Sequence, residues 1–178
     1  MAVVYPKQSG YGALLQNILP MYGLATYVAE KRKAGAHPLS RFILGALAAI
    51  SAGWRLSDIL ECAQSGFLGL TQEALDRFCA YCEGADVRGE AMRKPFRYPK
   101  GVTEEELVAL EESRKQVMEP LLALQRGLQA ARTADDTIQA ILTLLESVHA
   151  YETLEDMRDE LNAADLAAEA QDCAQVWN

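Results

Sequence analysis

The residue pattern reads as a mainly α-helical chain: a helical bundle-like subdomain preceded by a short strand-helix-strand piece. Three features lead to this reading. Apolar residues recur at helical spacing over most of the chain after His37, threonine-acid pairs spaced as capping boxes punctuate the second half, and β-branched runs suited to strands gather near the N-terminus. Half of the 178 residues are apolar, enough for an ordinary buried core.

In chain order, Ala2–Tyr5 is a β-branched and aromatic run that ends at Pro6 and suits a buried strand. Leu14, Leu15, Ile18 and Leu19 then fall at helical spacing. Pro20 is awkward for a helix interior, and Tyr22-Gly23 offers a turn before a second short strand, Leu24–Val28. With the polar turn from Glu30 to Ala36, this makes a first unit, residues 1–36. His37-Pro38 starts a helix with proline near its first position, Leu39, Phe42, Ile43, Leu47 and Ile50 form its buried stripe, and Gly53 ends it. Ser57 is expected to cap a short helix bearing Ile59 and Leu60. Thr71 is expected to cap another, in which Leu70 staples Leu75.

The stretch from Gly84 to Gly101, with Pro95 and Pro99, shows neither helical nor strand periodicity and reads as a connector. Thr103 with Glu106 then opens one long helix, or two collinear ones kinked or broken near Pro120. Its seam is Leu107, Leu110, Val117, Leu121, Leu124 and Leu128, interrupted by Arg114. Thr133 with Asp136 and Thr153 with Asp156 repeat the capping arrangement. They open helices whose apolar faces are Ile138, Ile141, Leu142, Leu145 and Val148, then Leu154, Met157 and Leu161. Residues 37–178 thus form the second, helical unit, its later part an antiparallel bundle. Gln175-Val176-Trp177-Asn178 has neither the glycine nor the proline that usually closes a helix, and the N-terminus starts directly on a strand. The expectation is a piece cut from a larger protein, with the second unit truncated at its C-terminal end.

Composition excludes several function classes. No window approaches the ~18 uninterrupted apolar residues of a membrane span, and no signal-peptide pattern stands at the N-terminus, so a cytoplasmic chain without membrane contact is expected. Four cysteines (Cys62, Cys79, Cys82, Cys173) are too few for a secreted disulfide framework. Cys79-x-x-Cys82 is a single pair where a zinc or iron-sulfur site needs about four ligands, and it shares a helical face with Leu75 and Phe78, which assigns it to apolar core. His37 and His149 suit capping or surface roles. Neither a phosphate-cradling glycine loop nor a serine elbow nor a zinc-protease helix is present. The clusters Glu104–Glu106 and Asp135–Asp136 sit at helix starts, where carboxylates offset the dipole. No catalytic, cofactor-binding or metal-ligating residue is assigned.

The net charge of -8 disfavours tight autonomous binding to a polyanion. Charge is uneven, however: between Arg88 and Lys100 five basic residues meet one acid, giving a local +4 and leaving -12 for the rest. Within it Arg93, Lys94, Phe96, Arg97, Tyr98 and Lys100 interleave cations with aromatics, a composition that can neutralise phosphates and stack unpaired bases. They are the candidate DNA-binding residues, with weak or no binding expected of the isolated chain. The other reading of the stretch is a connector whose aromatics pack on the domain and whose charges are solvated.

Several patches, read in order, resemble the B subunit of the AddAB-type ATP-dependent helicase/deoxyribonuclease of bacteria. They are Val3-Val4-Tyr5-Pro6 with Ser9-Gly10-Tyr11-Gly12-Ala13-Leu14-Leu15, Leu19-Pro20-Met21-Tyr22-Gly23-Leu24, Glu30-Lys31-Arg32 leading to His37-Pro38-Leu39, and Gly53-Trp54-Arg55. Gly66 with Gly69-Leu70-Thr71, Glu119-Pro120-Leu121 and the closing Gln175-Val176-Trp177-Asn178 continue the series. The resemblance implies an internal helicase-like region, its first unit part of a helicase-like core and its second an inserted helical subdomain. The parent enzyme it implies resects double-strand breaks for recombinational repair with a companion A subunit, using ATP, Mg2+ and an iron-sulfur cluster. The resemblance places the nucleotide loop, nuclease carboxylates and cluster cysteines outside this stretch. Tyr5-Pro6 stands where active helicases of the wider superfamily often carry an arginine that contacts ATP. The expected function is therefore a non-catalytic scaffold segment. The alternative is a free-standing helical module that binds a partner helix through the Leu107 to Leu128 seam.

Overall fold

The computed structural model describes residues 11–24, 35, 37–96 and 102–176. The chain divides into two compact units, Met1–Lys33 and Ala34–Asn178. In the first, α1 (Tyr11–Ile18) runs into a 3-10 turn, Leu19–Tyr22, whose first residues include Pro20. The lack of a proline N–H costs nothing at a helix start. Gly23 then takes a left-handed conformation (φ 72°), so that its N–H donates to the Pro20 carbonyl at 2.9 Å and that of Leu24 to Leu19 at 3.1 Å. The expected strands, Ala2–Tyr5 and Leu24–Val28, lie outside the described residues except for Leu24, which is irregular. No strand occurs among the described residues.

The second unit is helical throughout: α2 (Pro38–Ser51), α3 (Leu56–Ala63), α4 (Gln72–Gly84), a 3-10 turn (Gly89–Arg93), α5 (Glu104–Ala130), α6 (Ala134–Ser147), α7 (Ala150–Ala163) and α8 (Ala167–Gln175). Consecutive helices pack against one another, and α5 also touches α2, α3 and the 3-10 turn, which makes it the axis of the core. His37 caps α2, its Nδ1 accepting from the Leu39 N–H at 3.2 Å. Leu39 and Phe42 are buried as expected, whereas Ile43, Leu47 and Ile50 are half-buried. Gly45, Ala46 and Ala49 lie deeper because α3 comes so close that a Cβ at Gly45 would stand 3.1 Å from the Cys62 Sγ. Gly53 (φ 74°) reverses the chain, and Trp54 follows at φ 65° with its indole buried.

The caps differ in how well local pattern foretold them. Thr71 caps α4 through the Ala74 N–H, and the boxes Thr103/Glu106 and Thr133/Asp136 are both formed. The accepted backbone and hydroxyl hydrogen bonds hold the Glu106 and Asp136 carboxyls below their usual range. Ser57 is not a cap: α3 begins at Leu56 after Arg55, and the Ser57 hydroxyl meets Asp58 instead. Nor is Thr153. The two-residue turn Val148-His149, with His149 at φ 51°, starts α7 at Ala150, so Thr153 already lies inside the helix and donates to the His149 carbonyl at 3.1 Å. Pro120 does not break α5, which is one helix of 27 residues.

Leu110, Val117, Leu121 and Leu124 are buried in the core, with Leu107 and Leu128 packed against it. The seam is consumed inside the chain, which removes the surface that the partner-helix alternative requires. Across α5 and α6 the backbones nearly touch: a Cβ at Gly127 would lie 2.9 Å from that of Ala140. No helix among the described residues is long and apolar enough to cross a membrane.

Candidate nucleic-acid contact

The basic stretch leaves α4 through a turn that is more ordered than its composition suggests. The Val87 N–H donates to the Cys82 carbonyl at 2.9 Å and the Gly89 N–H to the Trp54 carbonyl at 3.0 Å, with Gly89 at φ 59°. Val87, Met92 and Phe96 turn into the core, Met92 completely. A connector without periodicity thus carries three anchors. Periodicity cannot reveal them, because a 3-10 turn between irregular segments has no repeat to detect.

Arg114 and Glu111 of α5 hold the far end of this segment. The Arg114 side chain is 9% exposed and its Nε donates to Glu111 Oε2 at 2.9 Å. Its Nη1 donates to the Met92 carbonyl at 3.3 Å, and its guanidinium lies 5.9 Å from the Phe96 ring centroid. Glu111 Oε2 also accepts from the Phe96 N–H at 3.0 Å. The Arg114 hydrogen bonds hold the Glu111 carboxyl below the ordinary carboxylate range, against the opposing effect of burial. In the sequence Arg114 stands out only as a break in an apolar seam. A charged residue at a seam position, three residues after a carboxylate, was the available signal for a buried pair.

The candidate residues divide. Phe96 is 9% exposed, with its ring 4.5 Å from that of Tyr81 and 6.1 Å from that of Phe78. It is a core aromatic and not a stacking platform for a base, a correction that follows from α4 presenting two rings where the connector passes. Arg93 is exposed and pairs with the exposed Glu90 at 3.0 Å, a surface contact worth about 0–1 kcal/mol that a phosphate can displace. Lys94 is exposed and forms no ion pair among the described residues. Arg97, Tyr98 and Lys100 lie outside the described residues. Of the candidates among the described residues, Arg93 and Lys94 are therefore exposed and Phe96 is buried.

The cysteines are thiols in apolar surroundings. Burial, with nearby acidic groups adding to it, pushes Cys62 up to about 12; burial also pushes Cys82 up to about 12, with the neighbouring Cys79 and Glu83 adding to it. Cys79 is raised as well, mainly by burial. No group of three metal-ligating side chains gathers among the described residues.

No protein-family model matches the chain. Curated bacterial proteins do. The B subunit of the ATP-dependent helicase/deoxyribonuclease of Clostridium botulinum (strain Loch Maree / Type A3) is 22% identical over 188 residues, which takes in 100% of this chain and 16% of that protein. The proteins of the same name from Bacillus velezensis and Lysinibacillus sphaericus are 25% and 26% identical, again over 100% of this chain and 17% of theirs. The chain thus spans only 16–17% of the length of these relatives. From end to end, it is similar to one portion of the B subunit of the ATP-dependent helicase/deoxyribonuclease.

Proposed function

We propose that the chain is a non-catalytic, helicase-like helical segment of an AddB-type subunit. It serves as scaffold within an enzyme of DNA double-strand break repair and recombination, and offers DNA a weak electrostatic contact at Arg93 and Lys94. The single observation that carries this reading is the similarity over the whole chain to proteins named as the B subunit of an ATP-dependent helicase/deoxyribonuclease. The side-chain chemistry supports it. Glu106 and Asp136 are engaged in caps, Glu111 in an ion pair, and Cys62 and Cys82 in the core.

In this reading the partners are DNA and the companion A subunit, and the ATP, Mg2+ and iron-sulfur chemistry belongs to other parts of the assembly. This segment's role is positional. A short basic stretch can neutralise only a few phosphates while the acidic remainder of the chain repels, so the isolated chain binds single-stranded DNA only at low salt. The test is a hydrolysis assay with ATP or DNA and magnesium beside a titration of labelled single-stranded DNA at several salt concentrations. The expected result is no turnover, with binding that disappears as salt rises. Turnover abolished by a point substitution in this chain would overturn the non-catalytic reading, and absence of binding at low salt would overturn the DNA contact.

A further inference from the structure

We infer that Glu111 and Arg114 are positioning residues for a nucleic-acid phosphate contact: from α5 they grip the backbone on both sides of Arg93 and Lys94 and hold those two cations on the surface. The inference rests on the DNA contact proposed above and adds the residues that organise it. The gripped atoms are the Met92 carbonyl, held by Arg114 Nη1 at 3.3 Å, and the Phe96 N–H, held by Glu111 Oε2 at 3.0 Å. The exposed cations lie between these two points in the chain, at positions 93 and 94. Met92 and Phe96 are themselves buried, so each hydrogen bond fixes a backbone that its side chain already anchors.

The charge of Arg114 is spent internally. Its side chain is 9% exposed and paired with Glu111, so it is no phosphate ligand, and its effect on DNA must pass through the connector. A cation on a fixed backbone loses less freedom on meeting a phosphate than one on a mobile loop. Releasing the grip therefore weakens binding without changing how many phosphates are neutralised. Two quantities separate this from a plain charge effect. The salt dependence of affinity counts phosphate contacts, whereas affinity at one salt also reports pre-organisation.

The experiment compares the full chain with Glu111→Gln, Lys94→Ala and the charge-neutral double variant Glu111→Gln/Arg114→Met. It titrates labelled single-stranded DNA at three salt concentrations, below the melting temperature of each protein. The double variant is expected to bind roughly fivefold more weakly, the scale for one or two side chains ordered on binding, with the parent's salt slope. Lys94→Ala is expected to lower that slope by about one. Glu111→Gln removes a negative charge and should tighten DNA binding by simple electrostatics, so weaker binding here supports positioning and carries the test if the double variant fails to fold. Amide exchange at Phe96 should quicken in Glu111→Gln. If the parent binds and the folded variants that loosen the grip bind equally well, or the Phe96 amide exchanges no faster, the positioning role falls while the DNA contact stands. If the parent does not bind at the lowest salt, the DNA contact itself falls.

Discussion

The connector from Ala85 to Phe96 and helix α6 make opposite use of their side chains. The connector is rich in charge and without periodicity, yet it buries Val87, Met92 and Phe96. Helix α6 has the regular apolar pattern of a core helix, yet Ile138 is 55% and Leu142 42% exposed while Leu144 and Leu145 are buried. Burial is decided by what lies opposite a residue. The connector crosses Tyr81 and Phe78 of α4 and the Glu111–Arg114 pair of α5, whereas α6 is covered on only part of its apolar arc. Composition ranks segments by how readily they can be buried, and topology chooses among them.

Four perturbations probe this contrast. Phe96→Ala should cost most, about 3–5 kcal/mol of stability as for other fully packed aromatics, measured by urea denaturation. A loss near zero would mean that the connector is not part of the core. Second comes pH. The Glu111 carboxyl is held low by Arg114, so the stability it contributes is fully present above the unfolded carboxylate pKa of about 4.3 and is lost as pH falls through its lower folded value. The stability gap between the parent and Glu111→Gln should be wide at pH 7 and close on acidification. A gap constant with pH would show that the charge of Glu111 does not hold the connector.

Third, α6 should depend more on its start than on its exposed apolar pair. Thr133→Ala removes the acceptor for the Asp136 N–H and should cost about 1 kcal/mol by thermal melting. Ile138→Ser is the mildest change, within about 0.5 kcal/mol, since the side chain it replaces is already largely in water. If Ile138→Ser costs more than Thr133→Ala, the exposed arc of α6 is covered in solution.

Much of the helical unit was legible because its signals are local. A capping box closes within four residues and an apolar stripe repeats within two turns, so Thr103/Glu106, Thr133/Asp136 and the seam of α5 could be read from short windows. The same logic erred at Thr153, where the right residue types stand at the right spacing but the left-handed His149 starts the helix earlier. A short pattern cannot report which of two adjacent turns the chain takes. The candidate contact was half legible. The local excess of cations is a property of the sequence, but nothing in that window tells that the Phe96 ring is packed against α4.

Residue order alone thus sets the helical class, the starts of α2, α4, α5 and α6, and the position of the basic stretch, all of which follow from spacings of a few residues and from side-chain chemistry. Three features needed the packed molecule: Phe96 faces Tyr81, Arg114 reaches the Met92 carbonyl 22 positions away, and the leucines of α5 are taken by neighbouring helices. The difference is one of range. Capping hydrogen bonds and helical repeats act within a turn or two of the chain, whereas burial and long-range pairing depend on distances that exist only after α4, the connector and α5 have come together.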